Sequence, residues 1–298
     1  MKAITYKLFA DEKIRHRICR DYALDPSLSH EQLAEALVEA FGQNPGAGPD
    51  GRREATNQVV YRAAALALAS NSRSWATFLP HEKSLAELTF GYDPYRTAAA
   101  VRAEQLTIND LAACLPGQTA GKDAHAIIRW AEMLDSTPRY HEVLRRLDER
   151  LRSEGMESAA IVPAVAVILG APGGKTLKQF PPPEKSDTWK VHGMGPVLAS
   201  EFLRNLQWAG FKPDRHVIRL FTRWFPDVIE KEMPRARALG ERLGTRRKDV
   251  LEFLTFSLVG AAVTPEGKTF TEVDNLVWAL GAYTEKKGKE SSTVYRID

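Results

Sequence analysis

Apolar residues recur along most of the chain at the three-to-four-residue spacing of an amphipathic helix. Leu33, Leu37 and Phe41, for example, fall on one face of a helix that begins after Ser29, a residue type that favours helix N-termini. Alternating apolar and polar positions, which indicate strands, are nearly absent; the apolar run AVAVIL at residues 164–169 is the most strand-like segment. We therefore predict an all-α fold. The same spacing predicts helices over residues 54–69, 123–134, 140–152, 196–206, 216–225, 246–259 and 270–283.

Glycine and proline residues are concentrated between Gly42 and Gly51, where they predict a linker. We predict an N-terminal helical arm with this linker over residues 1–50, a helical core over residues 51–225, and C-terminal helices over residues 226–298. In this interpretation the C-terminal helices complete a second lobe, and a cleft lies between the two lobes.

The composition is that of an ordinary globular protein. The chain has 298 residues, of which 44% are hydrophobic and 27% charged, and a formal net charge of +3. These values exclude a disordered chain, but the charge is too small to identify a partner, because nucleic-acid binding depends on clustered charge. The most apolar stretch, residues 159–171, is shorter than the roughly 20 residues of a membrane span, and the N-terminus lacks a secretory signal. We expect a cytoplasmic protein that does not bind a membrane.

Several common classes of catalytic and metal site lack their motifs in this sequence. The two cysteines, Cys19 and Cys114, exclude a disulfide scaffold and the four-cysteine zinc and iron–sulfur sites. The histidines have no H-E-x-x-H or related spacing, and no G-x-S-x-G nucleophile motif occurs. We therefore predict no bound metal at a histidine or cysteine cluster and no serine hydrolase.

A glycine-rich turn lies within the segment from about residue 187 to residue 206. Gly193, Met194 and Gly195 predict a tight reversal, because glycine tolerates positive φ angles, and Pro196 suits the first position of a helix. We predict a short helix, the turn, and a second helix whose first amides are open. Such amides bind a phosphate with help from the helix dipole; an ordinary helical hairpin is the alternative.

The next informative residue is Asp214, which follows Gly195 by 19 positions in the run PDRHVIR at residues 213–219. Glycine turn and aspartate together resemble the helix-hairpin-helix (HhH-GPD) DNA glycosylase superfamily, which includes endonuclease III and the adenine, 8-oxoguanine and alkyl-purine glycosylases. Its members carry an L-x-G-apolar-G hairpin followed, at a similar distance, by a catalytic aspartate in an apolar-or-Pro-D-x-H-apolar-x-R context. The residues that match are Val191, His192, Gly193, Met194, Gly195, Asp214, His216 and Arg219.

The resemblance implies a reaction on double-stranded DNA. The protein would hydrolyse the N-glycosidic bond of a damaged or modified base that is flipped out of the duplex, in base excision repair or in attack on phage bases such as glucosylated hydroxymethylcytosine. Asp214 would be the carboxylate that stabilises the cationic sugar, while N-capping of a helix is its alternative role. The residues expected to contact the DNA backbone are Lys190, His192, Gly193, Met194, Gly195, Val197, Arg215, His216 and Arg219.

The resemblance also specifies what the enzyme leaves behind. Relatives that nick the strand carry a lysine nucleophile two positions after the second hairpin glycine, where this chain has Val197. We predict a monofunctional, monomeric enzyme that leaves an abasic site, although Lys190 and Lys212 are alternative amines. The family implies a structural monovalent cation at the hairpin carbonyls, and we expect no required cofactor and no iron–sulfur cluster. A non-catalytic helix-hairpin-helix DNA-binding protein is the competing hypothesis.

Base flipping needs a side chain that fills the gap in the duplex and a pocket that receives the base. In the family the wedge lies in the turn after an early apolar helix, which corresponds here to residues 70–75, so Asn71 and Arg73 are the candidates. The aromatic candidates for stacking on the base are Trp75, Trp189 and Trp208, each of which can equally be a core residue.

The run GAPGGKT at residues 170–176 is similar to a nucleotide phosphate loop that follows a strand. The nucleotide motif requires a glycine where Leu169 stands, and residues 177–180 are too few for the helix that must follow before three prolines. We predict no nucleotide hydrolase, and expect this loop to approach DNA or line the cleft.

Clustered basic residues near the C-terminus are further candidates for phosphate contacts, with solvated helix faces as the alternative. They are Arg235, Arg237, Arg242, Arg246, Arg247, Lys248, Lys286, Lys287 and Lys289.

Overall fold

The computed structural model describes residues 1–43, 55–73, 75–137, 139–183 and 188–284. Over these residues all regular structure is helical, which confirms the predicted all-α class. Most of the predicted linker, Ser74, and the lysines at 286, 287 and 289 lie outside the described residues. The helices are α1 Lys2–Phe9, α2 Glu12–Tyr22, α3 His30–Ala40, α4 Asn57–Ala69, α5 Trp75–Leu88, α6 Pro94–Arg102, α7 Ile108–Ala113, α8 Ala120–Ser136, α9 Tyr140–Ser153, α10 Ser158–Gly170, α11 Gly174–Gln179, α12 Pro196–Asn205, α13 Arg215–Trp224, α14 Pro226–Arg242, α15 Lys248–Val263 and α16 Phe270–Thr284.

The larger of two hydrophobic cores is built around α4, α8, α10 and α12. Leu68, Trp130, Val165 and Phe202, one from each of these helices, are fully buried in it. Helix α10 packs on both α12 and α15 and is apolar on every side, as expected of a helix that neighbours surround. This large core supports the glycine turn, because α12 begins directly after it.

A second, smaller core joins the N-terminal helices to the C-terminal one. Leu8, Ile18 and Leu37 of α1, α2 and α3 are buried together with Phe221 of α13 and Leu280 of α16. Residues 1–43 therefore pack against α16, which in turn packs on α13, the helix that begins after Asp214. Phe211 and Phe256 also belong to this small core, so the segment that leads to Asp214 is held by it as well.

The strand-like interpretation of residues 164–169 is wrong, because these residues lie inside α10. Their β-branched side chains are compatible with a helix that is buried on all faces, where packing outweighs helix propensity. As predicted, the helix after Thr176 is too short for a nucleotide motif: α11 occupies Gly174–Gln179. Its six residues end just before Phe180, ahead of the three prolines.

The described part of the segment before the glycine turn is not helical. Residues 181–183 and 188–191 are extended or irregular, and the amide of Val191 donates to the carbonyl of Leu169 at 2.9 Å. Three consecutive prolines lack the N–H groups that a helix needs. The predicted short helix immediately before the turn is therefore absent from residues 188–191, and the turn joins an extended segment to α12.

Candidate functional site

The glycine turn is pressed against the large core at one point. Gly193 has a φ of +73°, and a Cβ atom there would lie 2.4 Å from the Cβ of Ala126 and 3.0 Å from Leu68. Both the backbone conformation and the close approach to α8 therefore require glycine. The carbonyl of the preceding residue, His192, accepts a hydrogen bond from the indole of Trp130 at 3.2 Å, which anchors the turn from below.

Gly195 does not use the positive φ angles that glycine tolerates. Its φ is −93°, within the range of any residue, and it serves as the N-cap of α12 without a side-chain hydrogen bond. It is exposed, and a Cβ atom added there would meet nothing within 4 Å. Within the described residues, the amides of Val197 and Leu198 have no hydrogen-bond acceptor. The first turn of α12 therefore presents open N–H groups beside a residue without a side chain.

Lys190 is part of the turn rather than a side chain extended into solvent. Its ammonium donates to the carbonyl of Met194, and partial burial, together with the charge of Arg247, lowers the pKa of Lys190. With Met194 engaged in this way, and His192 bonded to Trp130, two carbonyls of the turn are already used. The turn does not fit the monovalent cation that the family resemblance implies, because the lysine ammonium supplies a positive charge there.

Asp214 is the N-cap of α13. Its Oδ1 accepts hydrogen bonds from the amides of His216 at 2.8 Å and Val217 at 3.1 Å, while its Oδ2 accepts none from the described residues. The side chain is half-buried. One carboxylate oxygen is thus fixed by the helix, and the other is available to a ligand or a water molecule.

His216 and Arg219 fasten the beginning of α13 to α16. Arg219 approaches Nδ1 of His216 at 3.2 Å and donates to the carbonyl of Gly281 at 3.4 Å, and a Cβ atom on Gly281 would lie 2.9 Å from that of His216. Burial lowers the pKa of His216 against the raising effect of Asp214, so the imidazole is neutral at pH 7. Arg215 is exposed and, among the described residues, bonds only the His216 ring, at 3.4 Å.

A buried charged cluster lies behind Asp214, and no sequence motif predicts it as a whole. Arg204 of α12 pairs with Asp274 of α16 at 2.8 Å and with Glu201 at 2.9 Å. Lys212, two residues before Asp214, contacts Glu201 at 3.6 Å, and its backbone amide donates to Asp274 at 2.9 Å. The Lys212 ammonium also lies 3.3 Å from the Ser70 hydroxyl. We call Glu201, Arg204, Lys212 and Asp274 the charged cluster.

The charged cluster ties two helices, α12 and α16, to the segment that carries Asp214. Burial raises the pKa of Asp274 to about 7 although Arg204 opposes the shift, and the charges of Asp214 and Glu201 raise it further. Burial also disfavours the charged form of Glu201, but Lys212 and Arg204 outweigh it and lower the pKa of that carboxyl. Spacing on α12 suggests a Glu201–Arg204 pair, whereas the link to α16 depends on a contact distant in sequence.

The side chains of the two wedge candidates, Asn71 and Arg73, already form hydrogen bonds and an ion pair within the protein. Arg73 forms a buried ion pair with Asp123 at 2.8 Å and donates to the carbonyls of Pro116 and Ala69 at 2.6 and 2.7 Å. Asn71 donates to the other oxygen of Asp123 at 2.9 Å. Insertion of either side chain into DNA would require these bonds to break. The exposed tip of the turn is instead Ser72, which has a φ of +58°.

The three tryptophans have different environments. Trp189 and Trp208 are 6% and 1% exposed in the large core, and the indole of Trp189 donates to the carbonyl of Phe180 at 2.7 Å. Trp208 is therefore not accessible to a base, which corrects the expectation that it stacks on one, whereas the edge of Trp189 lines a pocket of about 460 Å³ beside Phe180. Trp75 is partly exposed and packs against both cores, so it lies where the two cores meet.

The described residues contain no cluster of three or more histidine, cysteine or acidic side chains able to hold a metal ion. In the same part of the chain no helix is both long and apolar enough to cross a membrane. Comparison of the chain with protein-family models, curated proteins and solved structures finds no match.

Proposed function

We propose that the protein is a monofunctional DNA glycosylase that hydrolyses the N-glycosidic bond of a damaged or modified base and leaves an abasic site. The observation that carries this proposal is the arrangement of Asp214, whose Oδ1 is held by two backbone amides while its Oδ2 has no partner among the described residues. A fixed carboxylate of this kind stabilises the positive charge that develops on the sugar, and it orients the attacking water.

The start of α12 supports the other half of the proposal, which is DNA binding. The open amides of Val197 and Leu198 follow the exposed Gly195, so a phosphate oxygen can approach the backbone without meeting a side chain. Contacts of this type hold the duplex without reading its sequence. Arg215 is exposed at the start of α13, where it would add a charge to the same duplex.

The charged cluster gives Asp214 a rigid support in this mechanism. Lys212 is bound through its amide to Asp274 and through its ammonium to Glu201, so the segment leading to Asp214 is fixed from two sides. Catalytic groups need such support, because a displacement of about 1 Å can reduce the rate by about 100-fold. We propose that the base enters where the two cores meet, beside Trp75.

The competing proposal is a DNA-binding protein without catalytic activity. A specific observation favours it: Asp11 and Asp93 cap α2 and α6 with the same two amide hydrogen bonds that Asp214 makes. Capping alone therefore explains the position of Asp214, and activity is the property that separates the two proposals.

A duplex panel tests the proposed function directly. Each duplex carries one alkylated, oxidised, deaminated or glucosylated base, and modified phage DNA is included. We expect wild-type protein to generate alkali-labile abasic sites in at least one substrate. Binding to all duplexes without base release from any of them would contradict the enzyme and support the binding protein.

The absence of strand cleavage is a separate prediction of the proposal. Val197 lies in the first turn of α12, where the nicking relatives have lysine, and the Lys212 amine is engaged with Glu201. Borohydride should trap no covalent adduct of the wild-type protein on its substrate, whereas Val197→Lys should form one. A trapped wild-type adduct would show that Lys190 or Lys212 acts as a nucleophile.

A further inference from the structure

We propose that the turns at residues 170–176, 193–196 and 243–247 form one continuous basic surface that binds the phosphates of duplex DNA beyond the reach of the glycine turn itself. The three turns come from distant parts of the sequence, and the last three residues of the first turn lie in α11. We call them together the three-turn surface. That DNA is the partner rests on the proposed function.

The three turns contact one another through their backbones. A Cβ atom on Gly170 would lie 2.4 Å from the nitrogen of Pro196, and one on Gly173 would lie 2.4 Å from the carbonyl oxygen of Gly244. The hydroxyl of Thr176 donates to the carbonyl of Leu243. Since no side chain separates these segments, the surface is fixed relative to the glycine turn.

A groove of about 730 Å³ lies at the edge of the three-turn surface. Three of its lining side chains are cations, namely Lys175, Lys178 and Arg246, and one is an acid, Glu241. Arg246 pairs with Glu241 at 3.2 Å, whereas Lys175 and Lys178 are exposed and form no ion pair with the described residues. The groove therefore keeps an excess of positive charge at its surface.

Basic residues continue from this groove toward the glycine turn, and one of them, Arg247, pairs with Asp249 at 2.6 Å. Arg247 follows Arg246 directly, and it lies close enough to Lys190 for its charge to lower the pKa of that lysine. Lys190 in turn donates to the Met194 carbonyl inside the glycine turn. Lys248, the first residue of α15, is exposed and adds a further charge beside Arg247.

The chemistry of the groove favours a polyanion over other partners. Pockets for small organic ligands and the centres of protein interfaces are rich in apolar and aromatic side chains, and no described residue that lines this groove carries one. Lysine ammonium groups act as point charges that suit phosphate oxygens. Because the surface adjoins open helix amides that are themselves suited to phosphate, one duplex would engage both.

Salt-dependent DNA binding tests the three-turn surface. The probe is an unmodified fluorescent duplex of about 25 base pairs, titrated at about 50 to 300 mM KCl. The triple variant Lys175→Gln, Lys178→Gln, Arg246→Gln should bind at least about tenfold more weakly at about 150 mM KCl, and its slope of log K against log salt should be shallower by about 2 to 3. An unchanged slope would overturn the proposal.

A matched control removes three charges elsewhere. Lys13, Lys83 and Arg102 are exposed on α2, α5 and α6, and their replacement by Gln should leave the slope within about 0.5 of the wild-type value. An equal loss in this control would also overturn the proposal, because the effect would then follow net charge. All six positions are exposed, so circular dichroism and thermal unfolding should match wild type.

The outcome is independent of catalysis, since the probe contains no modified base. If the duplex panel yields no base release but the triple variant has a shallower slope of log K against log salt, the three-turn surface is supported and the glycosylase proposal fails. If base release occurs and the slope is unchanged, the glycosylase proposal stands and the three-turn surface fails.

Discussion

Helices α12 and α13 begin 19 residues apart and differ in how the first amides of each helix are hydrogen-bonded. Helix α12 follows Gly195, which offers no capping side chain, and the amides of Val197 and Leu198 have no acceptor in the described part of the chain. Helix α13 follows Asp214, whose carboxylate accepts from two amides. One helix start can therefore accept an external anion, while the other carries its own.

Under the proposed function, this difference gives the two helix starts separate roles. The uncapped start of α12 suits a phosphate. The start of α13 is capped by Asp214, whose carboxylate is thereby held in a fixed orientation with one oxygen available for chemistry. The charged cluster joins them, because Arg204 belongs to α12 and its partner Asp274 binds the Lys212 amide just before Asp214. Binding and catalysis would thus be separable by mutation.

The largest effect is expected at the start of α13. Asp214→Asn keeps an oxygen that can cap α13 but removes the negative charge, so base release in single-turnover kinetics should fall at least about 100-fold. Duplex binding should change by less than about threefold, because the phosphate site is on α12.

Asp93 provides the matched control for this substitution. Its Oδ1 caps α6 through the amides of Tyr95 at 2.9 Å and Arg96 at 3.0 Å, and it is half-buried like Asp214. Asp93→Asn should leave base release unchanged. Equal activities of the two variants would mean that Asp214 is only a helix cap.

Substitutions at the two glycines of the turn should have different effects, one mainly on the free energy of unfolding and the other mainly on duplex affinity. Gly193→Ala combines a positive φ with an overlap against Ala126, so the free energy of unfolding should fall by about 2–4 kcal/mol. Gly195→Ala meets no atom and should cost less than about 1 kcal/mol, yet duplex affinity should drop about tenfold, since the new methyl group lies at the exposed start of α12, where a phosphate would approach. Urea unfolding and fluorescence anisotropy measure the two quantities. Wild-type affinity of Gly195→Ala would place the phosphate elsewhere.

The smallest of these effects concerns the charged cluster and pH. The pKa of Asp274 is raised to about 7 in the folded protein, above the value of about 4 for an unfolded chain. The folded state therefore binds more protons between these values, and its stability falls as the pH rises. The unfolding free energy of wild type minus that of Asp274→Asn should decrease by about 2 kcal/mol from pH 5 to pH 7. A difference that increases with pH would show a lowered pKa instead.

Local sequence patterns predicted the parts of the site that depend on short-range geometry. Pro196 at the first position of α12 and Asp214 at the N-cap of α13 follow from backbone preferences of single residues. The predicted helix before Gly193 was wrong for residues 188–191, because the Val191 amide bonds the distant Leu169 carbonyl. Such a contact between remote segments has no local signature.

The lack of a local signature for tertiary contacts also explains the other differences between the sequence predictions and the structure. Helix α10 is buried on every face, so its sequence lacks the polar side by which an amphipathic helix is recognised. Arg73 was a wedge candidate because it lies in the turn after an early apolar helix, the place that the family resemblance implies, but Asp123, 50 residues away, binds it in the interior. The Arg204–Asp274 pair likewise joins residues 70 positions apart.

The most direct test of the central claim uses a probe that does not depend on the identity of the base. A duplex with a protonated pyrrolidine at the target sugar imitates the cationic transition state, and a duplex with uncharged tetrahydrofuran has a similar shape. If the carboxylate of Asp214 stabilises that charge, wild-type protein should bind the pyrrolidine duplex at least about tenfold more tightly, and Asp214→Asn should bind both equally. Equal binding of the two duplexes by wild type, or a preference that persists in Asp214→Asn, would contradict the account.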